Sequence, residues 1–179
     1  TLKNKESWSS NNFSRIETLY LGPKSSSQEE DKIIKNLDTS KYSIDKDISA
    51  KNIGNLLSQG KIIGRCVDRM EFGQRALGNR SIIADPSNIL IKEKINSAIK
   101  NRDFWMPFAP IVLDTYAEHY LVNPKKITSP HMTIGFQTTD LGYKKMIAAC
   151  HPADKSVRPQ ILEKKHNPKL YEIIEEFKN

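Results

Sequence analysis

Apolar residues along the chain recur at two spacings, one near four residues and one in short dense runs. The stretch SSQEEDKIIKNLD places Ile33, Ile34 and Leu37 behind a serine-rich start with acids in its first turn, which predicts a capped amphipathic helix. In DKDISAKNIGNLLSQG, Ile48, Ile53, Leu56 and Leu57 fall mostly on one face and Gly60 supplies a C-terminal cap. NILIKEKINSAIKNR sets Ile91, Ile95 and Ile99 four apart, with Lys92, Asn96 and Lys100 on the opposite side. NPKLYEIIEEF puts Leu170, Ile173, Ile174 and Phe177 on one helical face, and TYAEHYLV fits a short helix. Between these lie runs that read as strands: SRIETLYLGP ending in the Gly22-Pro23 turn, a brief YSI, a buried KIIGRCV, SIIADP closed by Pro86, the apolar end of DFWMPFAPIVL, and MTIGFQT. KKMIAAC fits either type. Helices alternating with strands predict an α/β (α+β) sheet domain.

Composition narrows the class. The 179 residues suit one domain with a possible extension, and the net charge of +7 favours anionic partners, whether nucleotide, nucleic acid or membrane. The two cysteines, Cys66 and Cys150, sit in or beside apolar sequence; both are expected to be buried, in a reducing compartment, here taken as the cytoplasm. No apolar run approaches a membrane span. The chain opens on threonine, and its polar, turn-rich start (residues 1–15) reads as a linker before a domain over 16–179, so a piece of a longer protein is expected.

Candidate chemistry centres on DRMEFGQRALGNRSIIADP, residues 68–86. Arg69, Arg75 and Arg80 stand in one segment between two strand patterns, with Gly73 and Gly78 between them. Guanidinium groups grip phosphate or carboxylate through paired N–H donors, and glycine lets the backbone approach closely. Asn79 and Ser81 add neutral donors, and Asp68 and Glu71 could offset the positive charge. A polyphosphate or acyl-phosphate pocket and a solvated loop with surface ion pairs both fit, and glycine–arginine interleaving also occurs in nucleic-acid binders. The segment is not a Walker loop. Lys100 and Arg102 close the 89–99 helix pattern, where the helix dipole alone would favour them. Phe104, Trp105 and Phe108 are core residues or a stacking platform. HPADKSVRPQ holds His151, Asp154 and Arg158, able together to orient a phosphate and move a proton. The histidine spacing supports no metal site, and no serine sits in a nucleophile elbow.

GRCVDRMEFGQRALGNRSIIADP, continued by INSAIKNRDFWMPFAPIVL, SPHM and HPADKSVRPQ, resembles the signature of the NodU/CmcH-type carbamoyltransferases. The resemblance runs over roughly residues 17 to 177. It departs at Asp68, where the family usually has glycine, at Gln74 for proline, and at Met106 for arginine. It implies a YrdC-like twisted open mixed sheet flanked by helices. It also implies formation of carbamoyl adenylate from carbamoyl phosphate and ATP, with Mg2+ accompanying the nucleotide. The carbamoyl group would pass to a hydroxyl of a sugar or small-molecule acceptor in a metal-carrying N-terminal domain of the same protein. Carried over by motif, Arg69, Arg75 and Arg80 would be catalytic. Asn79, Ser81, Lys100, Arg102, His151, Asp154 and Arg158 would bind nucleotide and carbamoyl phosphate. The expected partners are these small molecules, with nucleic-acid binding, or nucleotide binding without turnover, as the alternatives.

Overall fold

The computed structural model describes residues 17–99, 103 and 106–178. The expected linker over residues 1–15, Lys100, Arg102, Phe104 and Trp105 therefore lie outside the described residues.

The helices form where capping and periodicity coincide. Helix α1 (Ser27–Lys35) starts from Ser26, whose hydroxyl accepts from the Glu29 amide while the Glu29 carboxylate returns to the Ser26 amide, a reciprocal capping box. Helix α2 (Ala50–Ser58) is capped by Ser49. It ends in a Schellman turn: the Gly60 amide donates to Leu57 O and the Lys61 amide to Leu56 O, with Gly60 at φ +74°. Strand β1 (Ile63–Cys66) pairs antiparallel with β2 (Arg80–Ile83), Ile63 opposite Ile83 and Cys66 opposite Arg80. Helix α3 (Leu90–Ala98) follows and buries Ile91 and Ile95.

Strand β3 (Ile111–Leu113) leads through a 3-10 turn (Asp114–Tyr116) into α4 (Ala117–Tyr120), then β4 (Phe136–Gln137) and α5 (Asp140–Lys145). A second 3-10 turn covers Ile147–Ala149. Strand β5 (Ser156–Val157) pairs antiparallel with β4, and β6 (Gln160–Leu162) pairs parallel with β3. Helix α6 (Pro168–Lys178) closes the described chain.

Helices and small mixed sheets thus make an α/β fold, with the strands distributed over three two-stranded sheets. No described helix is long and apolar enough to cross a membrane. Leu57, Ile83, Leu113, Leu162, Leu170 and Ile173 form one core, which joins α2, α6 and the strands between them. A second core gathers Val112, Leu121, Phe136, Met146, Cys150, Val157 and Ile161. Ile91, Ile95 and Ala148 form a third, under α3.

Four expectations need correction. Residues 17–23 are irregular rather than a strand, because Pro23 offers no N–H and the segment bonds to a loop instead of a strand. YSI is also irregular. KIIGRCV is only half-buried, since its hairpin leaves alternate residues facing water. For the same reason Cys66 is exposed, whereas Cys150 is buried.

Candidate functional site

The connection between β1 and β2 carries the arginine motif. Its shape is set by one buried carboxylate. Glu71 is 6% exposed, and its Oε1 accepts the main-chain N–H groups of Leu77 (2.7 Å), Asn79 (2.8 Å) and Arg80 (3.2 Å). Burial alone would raise this carboxyl, but those donors hold it below its ordinary value. Gly78 turns the chain at φ +111°, where a Cβ would lie 2.2 Å from Leu170 Cδ2, so only glycine fits. The Gly78 amide donates to Ser81 Oγ at 2.9 Å. Asp68 also has a left-handed backbone (φ 47°), which aspartate tolerates better than most residues.

A buried polar network fixes the loop. Asn79 donates through Nδ2 to Arg69 O (2.8 Å), and its Oδ1 accepts from Asn167 Nδ2 (2.9 Å). Gln160 Nε2 and Tyr20 Oη both donate to Leu77 O, at 3.0 and 2.8 Å.

In front of the loop opens a cavity of about 920 Å³. Its charged wall holds Arg65, Arg75, Arg80 and Lys145 against a single described carboxylate, Asp85. Ser81 and Gln74 add polar groups, and Phe108, Tyr116, Tyr120, Val112 and Met146 line an apolar part. Such a cleft suits an anion attached to a flat or apolar body.

The sequence-derived candidates divide. Arg75, Arg80 and Ser81 line the cavity. The Arg75 side chain makes no hydrogen bond or ion pair to a described residue, which leaves its donors open. Arg80 donates to the carbonyls of Val67, Asp68 and Asn79, so it shapes the loop as well as facing the cavity. Asn79 is buried beneath the wall rather than on it. Arg69 turns the other way and donates to Gly22 O (3.0 Å) and Leu21 O (3.4 Å). Half-buried His151 and exposed Asp154 form a pair at 3.3 Å inside their own turn, and neither they nor exposed Arg158 lines the cavity. Asp154 is held below its ordinary value mainly by the Ser156 hydroxyl and amide.

Two cations on the wall were not singled out from the sequence. Arg65 lies in β1, donates to Gly78 O at 3.0 Å and is lowered from its ordinary value by burial, yet stays charged at any working pH. Its signal was strand alternation, which puts Arg65 on the half-buried face of β1 with Ile63. Lys145 ends α5 and carried no local signal.

Comparison with known proteins supplies the context. A family model described as "Carbamoyltransferase C-terminus" matches residues 54–179. An uncharacterized protein of Methanocaldococcus jannaschii is 40% identical over 123 residues, covering 69% of this chain and 20% of its own length. Nodulation protein NolO of Bradyrhizobium diazoefficiens is 31% identical over 166 residues, covering 92% of this chain and 30% of its own. Nodulation protein U of Sinorhizobium fredii is 31% identical over 129 residues, covering 72% and 22%. The chain thus spans no more than 30% of the length of these relatives.

Proposed function

Since the chain belongs to the carbamoyltransferase C-terminus family, we propose that its cavity binds ATP and carbamoyl phosphate and forms carbamoyl adenylate within a longer O-carbamoyltransferase. The observation that carries this reading is the cationic wall: Arg65, Arg75, Arg80 and Lys145 face one cavity with Asp85 as the only described carboxylate on it.

The chemistry needs such a wall. Water releases phosphate from carbamoyl phosphate and leaves carbamate. A carbamate oxygen attacks the α-phosphorus of ATP, and the bond from that phosphorus to pyrophosphate breaks. Negative charge grows on the phosphoryl oxygens during the attack, and guanidinium donors already in place stabilise it without reorganising. Arg75 has free donors for the phosphate chain. Arg65 and Arg80, fixed by main-chain carbonyls, supply charge at set positions. The apolar part of the cavity accommodates the base. Mg2+ would enter with the nucleotide and be held mainly by its phosphates, since Asp85 is the single described carboxylate on the wall. The carbamoyl group then passes to an acceptor hydroxyl elsewhere in the longer protein, with AMP as the leaving group.

The test is calorimetric titration of the full-length protein with ATP, with and without carbamoyl phosphate, alongside pyrophosphate release. Pyrophosphate should appear only with both substrates. Arg75→Ala should weaken ATP binding by about 10–100-fold, the loss of one or two charge-assisted bonds, with the unfolding midpoint unchanged. Unaltered ATP affinity in that variant would overturn the reading. So would binding that ignores carbamoyl phosphate, favours polynucleotide and collapses with rising salt.

A further inference from the structure

Residues 19–24 precede the stretch matched by the family model, yet they lie along the arginine loop and bond to it repeatedly. The Gly22 amide donates to Met70 O (2.9 Å), the Met70 amide to Pro23 O (3.0 Å), and the Phe72 amide to Leu19 O (2.6 Å). Arg69 reaches back to the carbonyls of Leu21 and Gly22. Lys24 Nζ meets Asp68 Oδ1 at 3.3 Å, and the same carboxylate binds Lys169 of α6 at 3.2 Å. At the far end of the loop, Tyr20 Oη donates to Leu77 O (2.8 Å) and accepts from Asn167 Nδ2 (3.3 Å). Burial pushes the Tyr20 phenol up, so it remains a neutral donor at any working pH.

Main-chain bonds at one end of the loop and a tyrosine at the other make a rigid splint. The approach is too close to be incidental: a Cβ on Gly22 would lie 2.9 Å from both Cβ and O of Met70. No residue of the splint lines the cavity. The Leu77 carbonyl held by Tyr20 directly precedes Gly78, whose own carbonyl takes Arg65.

We propose that residues 19–24 are a positioning strap for the anion site, with Tyr20 as its positioning residue, so that the functional unit begins well before residue 54. The strap touches no substrate. It fixes Leu77 and Met70, and through them the stretch that presents Arg75 and Arg80. This also gives Arg69 a role: it holds the strap rather than the anion.

The test joins two readouts in the full-length protein, of which only the second rests on the nucleotide reading. Hydrogen–deuterium exchange of peptides over residues 67–80 reports the loop directly. ATP titration reports the site. Tyr20→Phe should speed loop exchange about fivefold and weaken ATP binding about fivefold, the worth of one hydrogen bond. Gly22→Val, whose side chain pushes the strap off Met70, should exceed tenfold in both, while peptides from β3 and β6 exchange as before. Ile33→Ala on the exposed side of α1 should change neither. Parental loop exchange in both strap variants would overturn the proposal, as would faster exchange with ATP affinity untouched. Should the parent protein bind no ATP, the nucleotide reading falls. The exchange data still decide whether the strap holds the loop.

Discussion

Glu71 offers the sharpest test of how the arginine loop is held. One oxygen of a buried carboxylate receives three main-chain N–H groups, from Leu77, Asn79 and Arg80. Glu71→Ala would leave those donors buried without a partner. A hydrogen bond to a charged group contributes about 1.5–3 kcal/mol, and three sharing one oxygen are worth less than their sum, so a loss of about 3–5 kcal/mol is expected. Glu71→Gln keeps an acceptor oxygen but not the charge. Charge-assisted bonds are roughly twice as strong as neutral ones, which sets the expected loss at about 1–3 kcal/mol. Urea unfolding of parent and Glu71→Gln across pH separates the charge from the shape. The folded protein holds this carboxyl below its ordinary value, so the unfolded chain takes up the proton first as pH falls. The stabilisation is complete above the unfolded value, near pH 4.5, and is lost as pH drops through the lower folded value. The gap between parent and variant should therefore be widest near pH 7 and close in acid. A gap that stays constant from pH 7 to about pH 3.5 would refute the argument that the ionised form is what grips the loop.

Other outcomes follow from the same geometry. Arg80→Ala should lower the unfolding midpoint as well as ATP affinity, by about 1–3 kcal/mol of stability, because it frees three loop carbonyls; Arg75→Ala should lower affinity alone. Gly78→Ala combines a left-handed backbone with a clash against Leu170 and should cost roughly 2–5 kcal/mol, seen as a fall in melting temperature. Of the two cysteines in this chain, the exposed Cys66 should react with a thiol reagent in the native protein at pH 8. Cys150, pushed up to about 11 by burial, should react only after unfolding.

Local signals carried much of the helical structure. Ser26 with Glu29, Ser49 and Gly60 mark helix ends through bonds that span only a few residues, and such bonds are legible in a sequence. The strands were harder where their reason is distant. Gln160–Leu162 looks like the tail of a proline-containing loop and becomes a strand only because β3, some fifty positions earlier, lies beside it in parallel. Conversely, Leu19–Tyr20–Leu21 has strand composition but meets a loop. At the site, the grouping of arginines between two strands was visible in the sequence. Their directions were not, because they depend on which carbonyls lie within reach. Arg69 finds Gly22 O, Arg80 finds Val67 O, and Arg75 finds none among the described residues. Arg65 was overlooked because it sits in a strand rather than in the glycine-rich turn.

Helix α6 packs directly on α2, so closely that a Cβ on Gly54 would stand 2.8 Å from Glu176 Cβ. Leu57, Leu162 and Leu170 from three separated parts of the chain share one core there. During synthesis on the ribosome, α2 must therefore wait for more than a hundred further residues before its apolar side is covered. Long-range closure of this kind slows folding and leaves that apolar side exposed on the nascent chain until α6 has emerged.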